Sequence, residues 1–220
     1  MVYSDLRIER KFSFGNANEK ELTKFLLSNN FKQKYQKRRV NSIYLDTPNF
    51  NHVLDNINGV NEREKLRIRW YNNDLENFSI EVKKKNKFCI LKKINKINSK
   101  IRKESFISDF SNVFDKKFSK NKKYNYNFIL IVSYVRSYWV SANEKIRATV
   151  DFDISTRSIV LNSLNIKIPD TVLEFKFAPE NEEYFRQLFT SRKFNFRVKK
   201  FSKYVNAFSL LHGNGLINLW

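Results

Sequence analysis

The sequence predicts an α+β fold in which an antiparallel β-barrel forms a tunnel with a charged interior and helices pack on its outside. Three observations support this prediction. Several segments carry charged residues at every second position, bulky apolar residues fill the alternate positions, and short turns connect neighbouring segments. Successive side chains of a strand point to opposite faces, so each segment presents one charged row and one apolar row. The apolar rows require a cover of helices, and a closed barrel gives the charged rows a shared surface.

The clearest alternation lies at residues 61–71. Its cations are Lys65, Arg67 and Arg69, and its apolar residues are Leu66, Ile68 and Trp70. A turn signal at 72–74 predicts a returning strand at 77–83, and a second turn at 85–87 predicts a third strand at 88–94. Connections as short as these produce antiparallel pairing.

The rest of the chain supplies the remaining elements. Further strands are expected at 5–14, 40–46, 126–139, 145–153 and 171–177. Helices are expected after Asn16 or Asn18, within the polar stretch 95–123, from Pro179, and after Ser202 as far as Gly213, and a short helix or a turn is expected within 49–60. Residues 32–39 are predicted to be a basic connector, and 159–168 a loop or a short edge strand. With 4 glycines and 3 prolines there is little material for linkers, so one domain is expected over residues 1–220.

Composition narrows the partners and the compartment. The 42 Lys and Arg residues outnumber the 22 Asp and Glu residues, which gives a net charge of +20 and favours a polyanionic partner. A hydrophobic content of 41% excludes a disordered chain. The single cysteine, Cys89, excludes an internal disulfide and a site of several cysteines. No signal peptide and no run of about 18 apolar residues is evident, so we expect a cytoplasmic protein. A membrane-bound partner subunit is compatible with this expectation.

The charged rows indicate what the tunnel binds. Among the residues predicted to face inward, the cations outnumber the carboxylates Glu9, Glu81, Asp151 and Glu174. An unpaired buried charge costs several kcal/mol, so the excess cations require an anionic ligand of high charge density. Guanidinium groups bind phosphate oxygens in pairs of hydrogen bonds, and a triphosphate therefore suits them. Carboxylates that face a phosphate repel it unless a divalent cation bridges them, which predicts Mg²⁺ or Mn²⁺ held by Glu174 with Glu9.

Short motifs along the chain resemble those of a known family. Residues 7–11 resemble the N-terminal Glu-x-Lys signature of the triphosphate tunnel metalloenzymes, also called the CYTH superfamily. Seven further segments resemble, in order, the VTC domain of polyphosphate polymerases. They lie at residues 44–48, 65–69, 81–83, 134–136, 147–151, 173–176 and 200–204. Where the wider superfamily has an additional Glu, this chain has Arg7, which removes a metal ligand and adds a cation for phosphate.

The resemblance implies a polymerase that transfers the terminal phosphoryl group of ATP onto a growing polyphosphate chain, with ATP and inorganic polyphosphate as its partners. The implied catalytic residues are Lys11, Arg67, Arg69, Lys83, Arg136, Arg147, Lys176 and Lys203. Further contacts to substrate are expected from Arg7, Arg10, Lys92, Tyr134, Lys200 and Ser202. Glu174, with Glu9, would hold the metal.

Two other functions remain open at the level of sequence. A tunnel-type inorganic or nucleoside triphosphatase would use the same cations, because the two reactions differ only in what accepts the phosphoryl group. A non-catalytic module that binds a polyanion, nucleic acid or polyphosphate, would also explain the charge. Specific binding of nucleic acid is disfavoured, since the cations lie at strand positions opposite the bulky residues.

Overall fold

The computed structural model describes residues 7–15, 18–86, 89–118, 125–159, 161, 165–188 and 201–213, and within them lie nine strands and five α-helices. The strands are β1 (Ile8–Gly15), β2 (Phe31–Asp46), β3 (Arg63–Tyr71), β4 (Asp74–Asn86), β5 (Cys89–Asn98), β6 (Asn127–Ser141), β7 (Ile146–Ser158), β8 (Ile166–Ile168) and β9 (Asp170–Phe177). The helices are α1 (Glu19–Ser28), α2 (Asn51–Ile57), α3 (Phe106–Phe118), α4 (Glu182–Gln187) and α5 (Lys203–His212). A single 3₁₀ turn at Pro179–Asn181 precedes α4.

The strands belong to one sheet with the order β1-β9-β7-β6-β2-β3-β4-β5, and β8 pairs with β7. The pairs β1–β9, β7–β9, β2–β3, β3–β4 and β4–β5 are antiparallel. The predicted meander of β3, β4 and β5 is therefore confirmed. Its strands run further than the alternation alone predicted, since β4 begins directly after a tight turn in which Asn72 has a φ of 51°.

The chain divides into two compact units. The first unit contains Met1–Arg39, Tyr134–Ile154 and Lys167–Ser202, and the second contains Val40–Ser133, Ser155–Ile166 and Lys203–Trp220. Strands β2, β6, β7 and β8 contribute residues to both units. A single domain over residues 1–220 stays a prediction. No helix in the described ranges is long and apolar enough to cross a membrane.

In the first unit, helices α1 and α4 cover the apolar rows of β1, β7 and β9. Helix α1 begins after Asn18, whose side chain accepts a hydrogen bond from the backbone N–H of Lys20 at 3.0 Å and thereby caps the helix. Phe175 is fully buried, and its ring centroid lies 6.1 Å from that of Phe12 and 5.3 Å from that of Phe185. Burying such aromatic rings contributes to the hydrophobic stabilisation of this layer.

In the second unit, helix α3 covers the apolar rows of β2, β3 and β4. Ile68 and Ile80 are fully buried beneath it. The ring of Phe110 from α3 packs 4.9 Å from Phe78 and 5.4 Å from Trp70, centroid to centroid. The apolar positions of β3 and β4 thus face a helix, as the alternation predicted, and their charged positions lie on the other face of the strands.

The predicted basic connector at 32–39 is wrong, because β2 begins at Phe31 and continues through these residues to Asp46. Residues 32–37 are exposed whatever face they lie on, so this part of the strand shows no alternation of polar and apolar residues. Two ion pairs connect it to other segments: Lys37 Nζ lies 2.9 Å from Glu19, and Arg39 Nη2 lies 2.6 Å from Asp153. Only residues 166–168 of the uncertain stretch 159–168 are described as a strand.

Candidate functional site

Two lysines and two glutamates form a closed ring of ion pairs on the charged face of β1 and β9. The antiparallel register places Glu9 opposite Lys176 and Lys11 opposite Glu174. Lys11 Nζ lies 3.8 Å from Glu9 and 3.4 Å from Glu174. Lys176 Nζ lies 3.4 Å from Glu9 and 2.8 Å from Glu174. We call this ring the quartet (Glu9, Lys11, Glu174, Lys176); because each carboxylate meets two ammonium groups, its charges balance.

The quartet keeps Glu174 and Lys11 charged. Burial alone would raise the pKa of Glu174, but Lys11, Lys176 and Arg136 hold it well below its usual value. Burial alone would lower the pKa of Lys11, yet the carboxylates of Glu174 and Glu9 raise it above its ordinary value. Glu174 is therefore a carboxylate, and Lys11 an ammonium group, throughout the neutral range.

Arg136 is held beside the quartet in a fixed orientation. Its Nε and Nη2 donate hydrogen bonds of 2.5 and 2.7 Å to the two oxygens of Asp151, which is fully buried. Its guanidinium carbon also lies 5.3 Å from the centroid of the Tyr134 ring. Burial alone would lower the pKa of Arg136, but Asp151 and Tyr134 raise it well above its ordinary value. Arg147 pairs in register with Lys176 on the same face and is exposed.

The second unit contains a cluster in which cations outnumber the carboxylate. Oε2 of Glu81 lies 2.6 Å from Arg67 Nη2, 3.2 Å from Lys92 Nζ and 3.9 Å from Arg69 Nη1. Arg67 also donates from Nε at 2.9 Å to the same oxygen. We call these four residues the Glu81 cluster (Glu81, Arg67, Arg69, Lys92). Three positive charges thus share one negative charge, on a carboxylate whose side chain is 5% exposed.

The electrostatics of this cluster follow from that imbalance. Burial alone would raise the pKa of Glu81, but Arg67, Arg69 and Lys92 lower it to about 2. Burial lowers the pKa of Lys92, an effect that Glu81 opposes and Arg67 reinforces. Glu81 is thus strongly stabilised as an anion. For Lys92, burial and the guanidinium groups of Arg67 and Arg69 lower the pKa more than Glu81 raises it.

Further cations extend the charged face of the second unit. The register aligns Lys65 with Lys83, and Lys83 with Lys92, in one row across three strands. A second row joins Arg69 to Ser79 and Ser79 to Lys96. The row between them contains Arg67 and Glu81. Arg69 Nε donates to Ser42 at 3.1 Å, and Arg67 Nη1 donates to the Tyr44 hydroxyl at 3.4 Å.

The structure thus brings together several of the predicted site residues and leaves others apart. The charged face of the first unit contains Glu9, Lys11, Tyr134, Arg136, Arg147, Glu174 and Lys176. The charged face of the second unit contains Arg67, Arg69, Lys83 and Lys92. Their convergence in one tunnel stays a prediction. Arg10 lies at the alternate strand position and donates to Glu182 of α4 at 3.1 Å, so it does not join the quartet. Arg7 is exposed before β1, Ser202 and Lys203 lie at the start of α5, and Lys200 lies outside the described residues.

Glu9 and Glu174 of the quartet are the predicted ligands of a divalent cation, and this role stays a prediction. No group of three or more His, Cys, Asp or Glu side chains suitable for a metal occurs in the described part of the chain. Mg²⁺ in phosphate sites commonly takes one or two carboxylates, and phosphate oxygens and water complete its shell. Glu9 and Glu174 supply such a pair, because they share the same two lysines and therefore lie close together.

Asp46, Tyr44 and Tyr204 were not identified as site residues from the sequence. Asp46 and Tyr44 lie in the motif at 44–48, but neither has a charge pattern that points to a role. The structure shows Tyr204 of α5 donating to Asp46 at 2.6 Å, across a separation of 158 residues. A contact between residues so distant in the chain leaves no signal in spacing or periodicity.

Solved structures share this fold at low sequence identity. A Hippeastrum protein, named as a candidate adenylyl cyclase and reported to have a dominant triphosphatase activity, is 12% identical with a TM-score of 0.56, over 93% of this chain and 97% of its own. A candidate adenylate cyclase from Bacillus halodurans is 15% identical with a TM-score of 0.54, over 90% and 95% of the two chains. The PH1819 protein of Pyrococcus horikoshii is 14% identical with a TM-score of 0.51, over 90% and 97%.

These likenesses concern the fold, and they agree with the predicted triphosphate tunnel fold. No curated protein sequence matches the chain. The family model of the VTC domain matches residues 6–212, which is nearly the whole chain and includes both the quartet and the Glu81 cluster. The protein therefore belongs to the VTC domain family.

Proposed function

We propose that this protein is a metal-dependent polyphosphate polymerase, which transfers the γ-phosphoryl group of ATP onto a growing inorganic polyphosphate chain. The observation that carries the proposal is the Glu81 cluster, where Arg67, Arg69 and Lys92 share one carboxylate oxygen. An excess of partly buried positive charge is costly unless an anion neutralises it. Phosphate oxygens are the ligand of matching charge density, and guanidinium groups bind them in pairs of hydrogen bonds.

The exposure of the cluster supports access by such a ligand. The side chain of Glu81 is 5% exposed, whereas those of Arg67 and Lys92 are 22% and 41% exposed. Arg67 and Lys92 therefore border on solvent, whereas Arg69, whose side chain is 7% exposed, and Glu81 lie behind them. An arriving phosphate meets positive charge first, and Glu81 keeps the cations in place before the ligand binds.

The extent of the cationic surface favours a polymeric ligand over a single phosphate. Cations occupy three successive rows on β3, β4 and β5, from Lys65 and Lys83 through Arg67 to Arg69 and Lys96. Alternate residues of a strand lie about 7 Å apart, so the three rows extend over about 14 Å. A chain of linked phosphates can contact all three rows at once, which orthophosphate cannot.

The quartet has a different part in this proposal, since its charges balance without a ligand. Lys11 and Lys176 would turn to the phosphates of ATP, and Glu9 and Glu174 would then hold Mg²⁺ or Mn²⁺. When bound, the metal ion neutralises charge on the phosphate oxygens and makes the phosphorus more electrophilic. Arg136, which Asp151 holds in orientation, would bind phosphate oxygens next to Lys176 without having to reorganise.

The reaction needs no protein nucleophile. The bond between the γ-phosphorus and the oxygen that bridges it to the β-phosphorus breaks, and that oxygen leaves with ADP. An anionic oxygen at the end of the polyphosphate chain forms the new bond to phosphorus. The protein aligns the two phosphate chains and neutralises their charge, which accounts for most of the catalysis in phosphoryl transfer.

Hydrolysis of a triphosphate is the second candidate, and the quartet is the observation that favours it. Two adjacent carboxylates on a phosphate-binding face could orient a water molecule in place of the polyphosphate end. Only the products separate the two reactions.

Product analysis is therefore the first test. With ATP and Mn²⁺ we expect long polyphosphate on a gel, and ADP in proportion to the phosphate incorporated. Arg67→Ala should lower kcat/KM by about tenfold to a hundredfold, because it removes charge-assisted hydrogen bonds to phosphate. Lys84→Ala is the matched control, since Lys84 lies on the other face of β4 in an ion pair with Glu64. Release of orthophosphate alone, with a short polyphosphate primer present, would establish the triphosphatase instead.

Glu174→Gln tests the proposed metal site. We expect the variant to fold and to bind Mn²⁺ in the presence of tripolyphosphate at least tenfold more weakly, because a neutral amide replaces a carboxylate ligand. Manganese electron paramagnetic resonance measures this affinity without turnover. Glu64→Gln, on the other face of β3, should leave it unchanged. An affinity for Mn²⁺ that is the same in Glu174→Gln and the wild type would assign the metal to other ligands.

Glu81→Gln tests the charge balance of the Glu81 cluster. The pKa of Glu81 is lowered from 4.5 to about 2, so the stabilisation is present above pH 4.5 and is lost as the pH falls towards 2. At pH 7 the free energy of unfolding should fall by roughly 3 kcal/mol in the variant. Urea unfolding should show this difference shrinking between pH 4.5 and 2, and shrinking at pH 7 when tripolyphosphate is added. A difference that depends on neither pH nor tripolyphosphate would contradict the account.

A further inference from the structure

The ring of Tyr35 on β2 is exposed to solvent among exposed cations. Tyr35 is 57% exposed, and it is the sole Phe, Tyr or Trp side chain in the described ranges that is largely exposed. Residues 32–37 of β2 are all exposed, and three of them are the lysines Lys32, Lys34 and Lys37. Aromatic rings among cations are the combination with which proteins bind bases that carry phosphate.

Two contacts hold this exposed ring in place. The ring centroid of Tyr35 lies 5.9 Å from that of Tyr138, and the planes meet at 81°, which is an edge-to-face arrangement. The guanidinium carbon of Arg38 lies 4.9 Å from the centroid of Tyr138, in a cation–π contact that orders the second ring. The exposed ring therefore has an ordered support, and a base that stacks on it immobilises little that is not already fixed.

The support of this ring belongs to the charged face of the first unit. Tyr134, Arg136 and Tyr138 are alternate residues of β6, so their side chains lie on one face of the sheet. Trp139 lies on the other face and is buried in the apolar layer with residues of α1 and α4. Alternate residues of a strand are about 7 Å apart, so Tyr138 is one such step from Arg136. The aromatic pair thus adjoins the cations of this face.

We propose that Tyr35, supported by Tyr138 and Arg38, is the stacking platform for the nucleobase of a nucleoside triphosphate whose phosphates extend along the charged face towards Arg136. This site deepens the proposed function and rests on it for the triphosphate, because it makes the first unit a site for a nucleotide instead of an inorganic phosphate chain. Tyr138 and Arg38 act through Tyr35 and are positioning residues. Every base has a π-face, so adenine and guanine nucleotides should bind with similar affinity.

The number of exposed rings favours a single nucleotide over a nucleic-acid strand. Proteins that bind single strands stack successive bases on several aromatic side chains. The described part of the chain exposes one such ring, Tyr35, whereas Tyr138 is half-buried against Arg38. One platform beside a cationic face suits one base followed by its phosphates.

Tyr35→Ala tests the platform by equilibrium binding, without turnover. Calorimetry with Mg²⁺ compares two probes, the β,γ-imido analogue of ATP and inorganic tripolyphosphate. We expect the variant to bind the analogue about tenfold more weakly and tripolyphosphate as tightly as the wild type, because only the contact to the base is lost. Tyr35→Phe keeps the ring and should bind the analogue like the wild type. Unchanged affinity for the analogue in Tyr35→Ala would overturn the proposal.

Leu27→Ala is the matched control for this test. Leu27 is 55% exposed on α1 of the same unit, so its truncation removes a similarly exposed apolar side chain away from the platform. We expect the affinities of this variant for both probes to equal those of the wild type. A loss for the analogue as large as that in Tyr35→Ala would mean that the effect is not specific to the platform, and would overturn the proposal.

A double-mutant cycle tests the positioning of Tyr35. Tyr138→Leu should weaken binding of the analogue about threefold in the wild-type background and should have almost no further effect in the Tyr35→Ala background. Its affinity for tripolyphosphate should equal that of the wild type, which also establishes that the variant is folded. Additive losses in the two backgrounds would mean that Tyr138 acts independently of Tyr35, and would overturn its assignment as a positioning residue.

Single-stranded nucleic acid is the rival occupant, and a fluorescently labelled single-stranded oligonucleotide tests it. If Tyr35→Ala weakens binding of the oligonucleotide and leaves the affinity for the analogue unchanged, the platform serves nucleic acid and the proposal is refuted. The proposed function fails on a different observation, the products of the wild-type reaction. A protein that releases orthophosphate alone from ATP would refute the polymerase and leave the nucleobase site standing.

Discussion

One constraint governs both units of the protein: a strand that buries one row of side chains under a helix presents the alternate row on its opposite face. In β3 and β4 the buried row is Ile68, Ile80 and their neighbours beneath α3. In β9 it includes Phe175 beneath α1 and α4. The alternate rows contain the quartet and the Glu81 cluster. The apolar packing that stabilises each unit therefore also determines where its charges lie.

The two charged groups differ in their balance, and this difference organises the proposed chemistry. The quartet pairs two lysines with two glutamates, and Asp151 neutralises Arg136 beside it. The Glu81 cluster sets three cations against one carboxylate. A balanced group can stand without a ligand and release carboxylates to a metal when phosphate competes for its lysines. A group in which cations outnumber the carboxylate gains further stabilisation when an anion binds, and under the proposed function this makes the Glu81 cluster the stronger determinant of phosphate binding.

The sequence predicted the elements whose signal is local. Alternation of charged and apolar residues identified β3 and β9, and it assigned Arg67 and Glu174 to charged faces. The alternation did not identify the strand at 32–39, because both faces of this part of β2 are polar and largely exposed, so polar and apolar residues do not alternate. Arg10 was expected to bind substrate; it lies at the alternate strand position and donates to Glu182 of α4, and its contact with substrate stays a prediction. A motif resemblance identifies residue types, but it does not show which face of the strand each residue occupies.

Contacts between distant segments could not be predicted from the sequence for a different reason. The hydrogen bond from Tyr204 to Asp46 and the closed ring of the quartet depend on which strands pair and in which register. The ratio of cations to carboxylate at Glu81 likewise depends on the placement of Lys92, which β5 supplies through its register with β4. Composition showed an excess of positive charge over the whole chain, but only the pairing of strands shows where that excess concentrates.

The most direct measurement of the central claim is a crystal structure of the protein with tripolyphosphate and Mn²⁺. The account predicts phosphate oxygens within hydrogen-bonding distance of Arg67, Arg69 and Lys92, with at least one of these cations drawn away from Glu81 towards the ligand. Phosphate bound solely by exposed lysines elsewhere, with all three cations still gathered on Glu81, would contradict it.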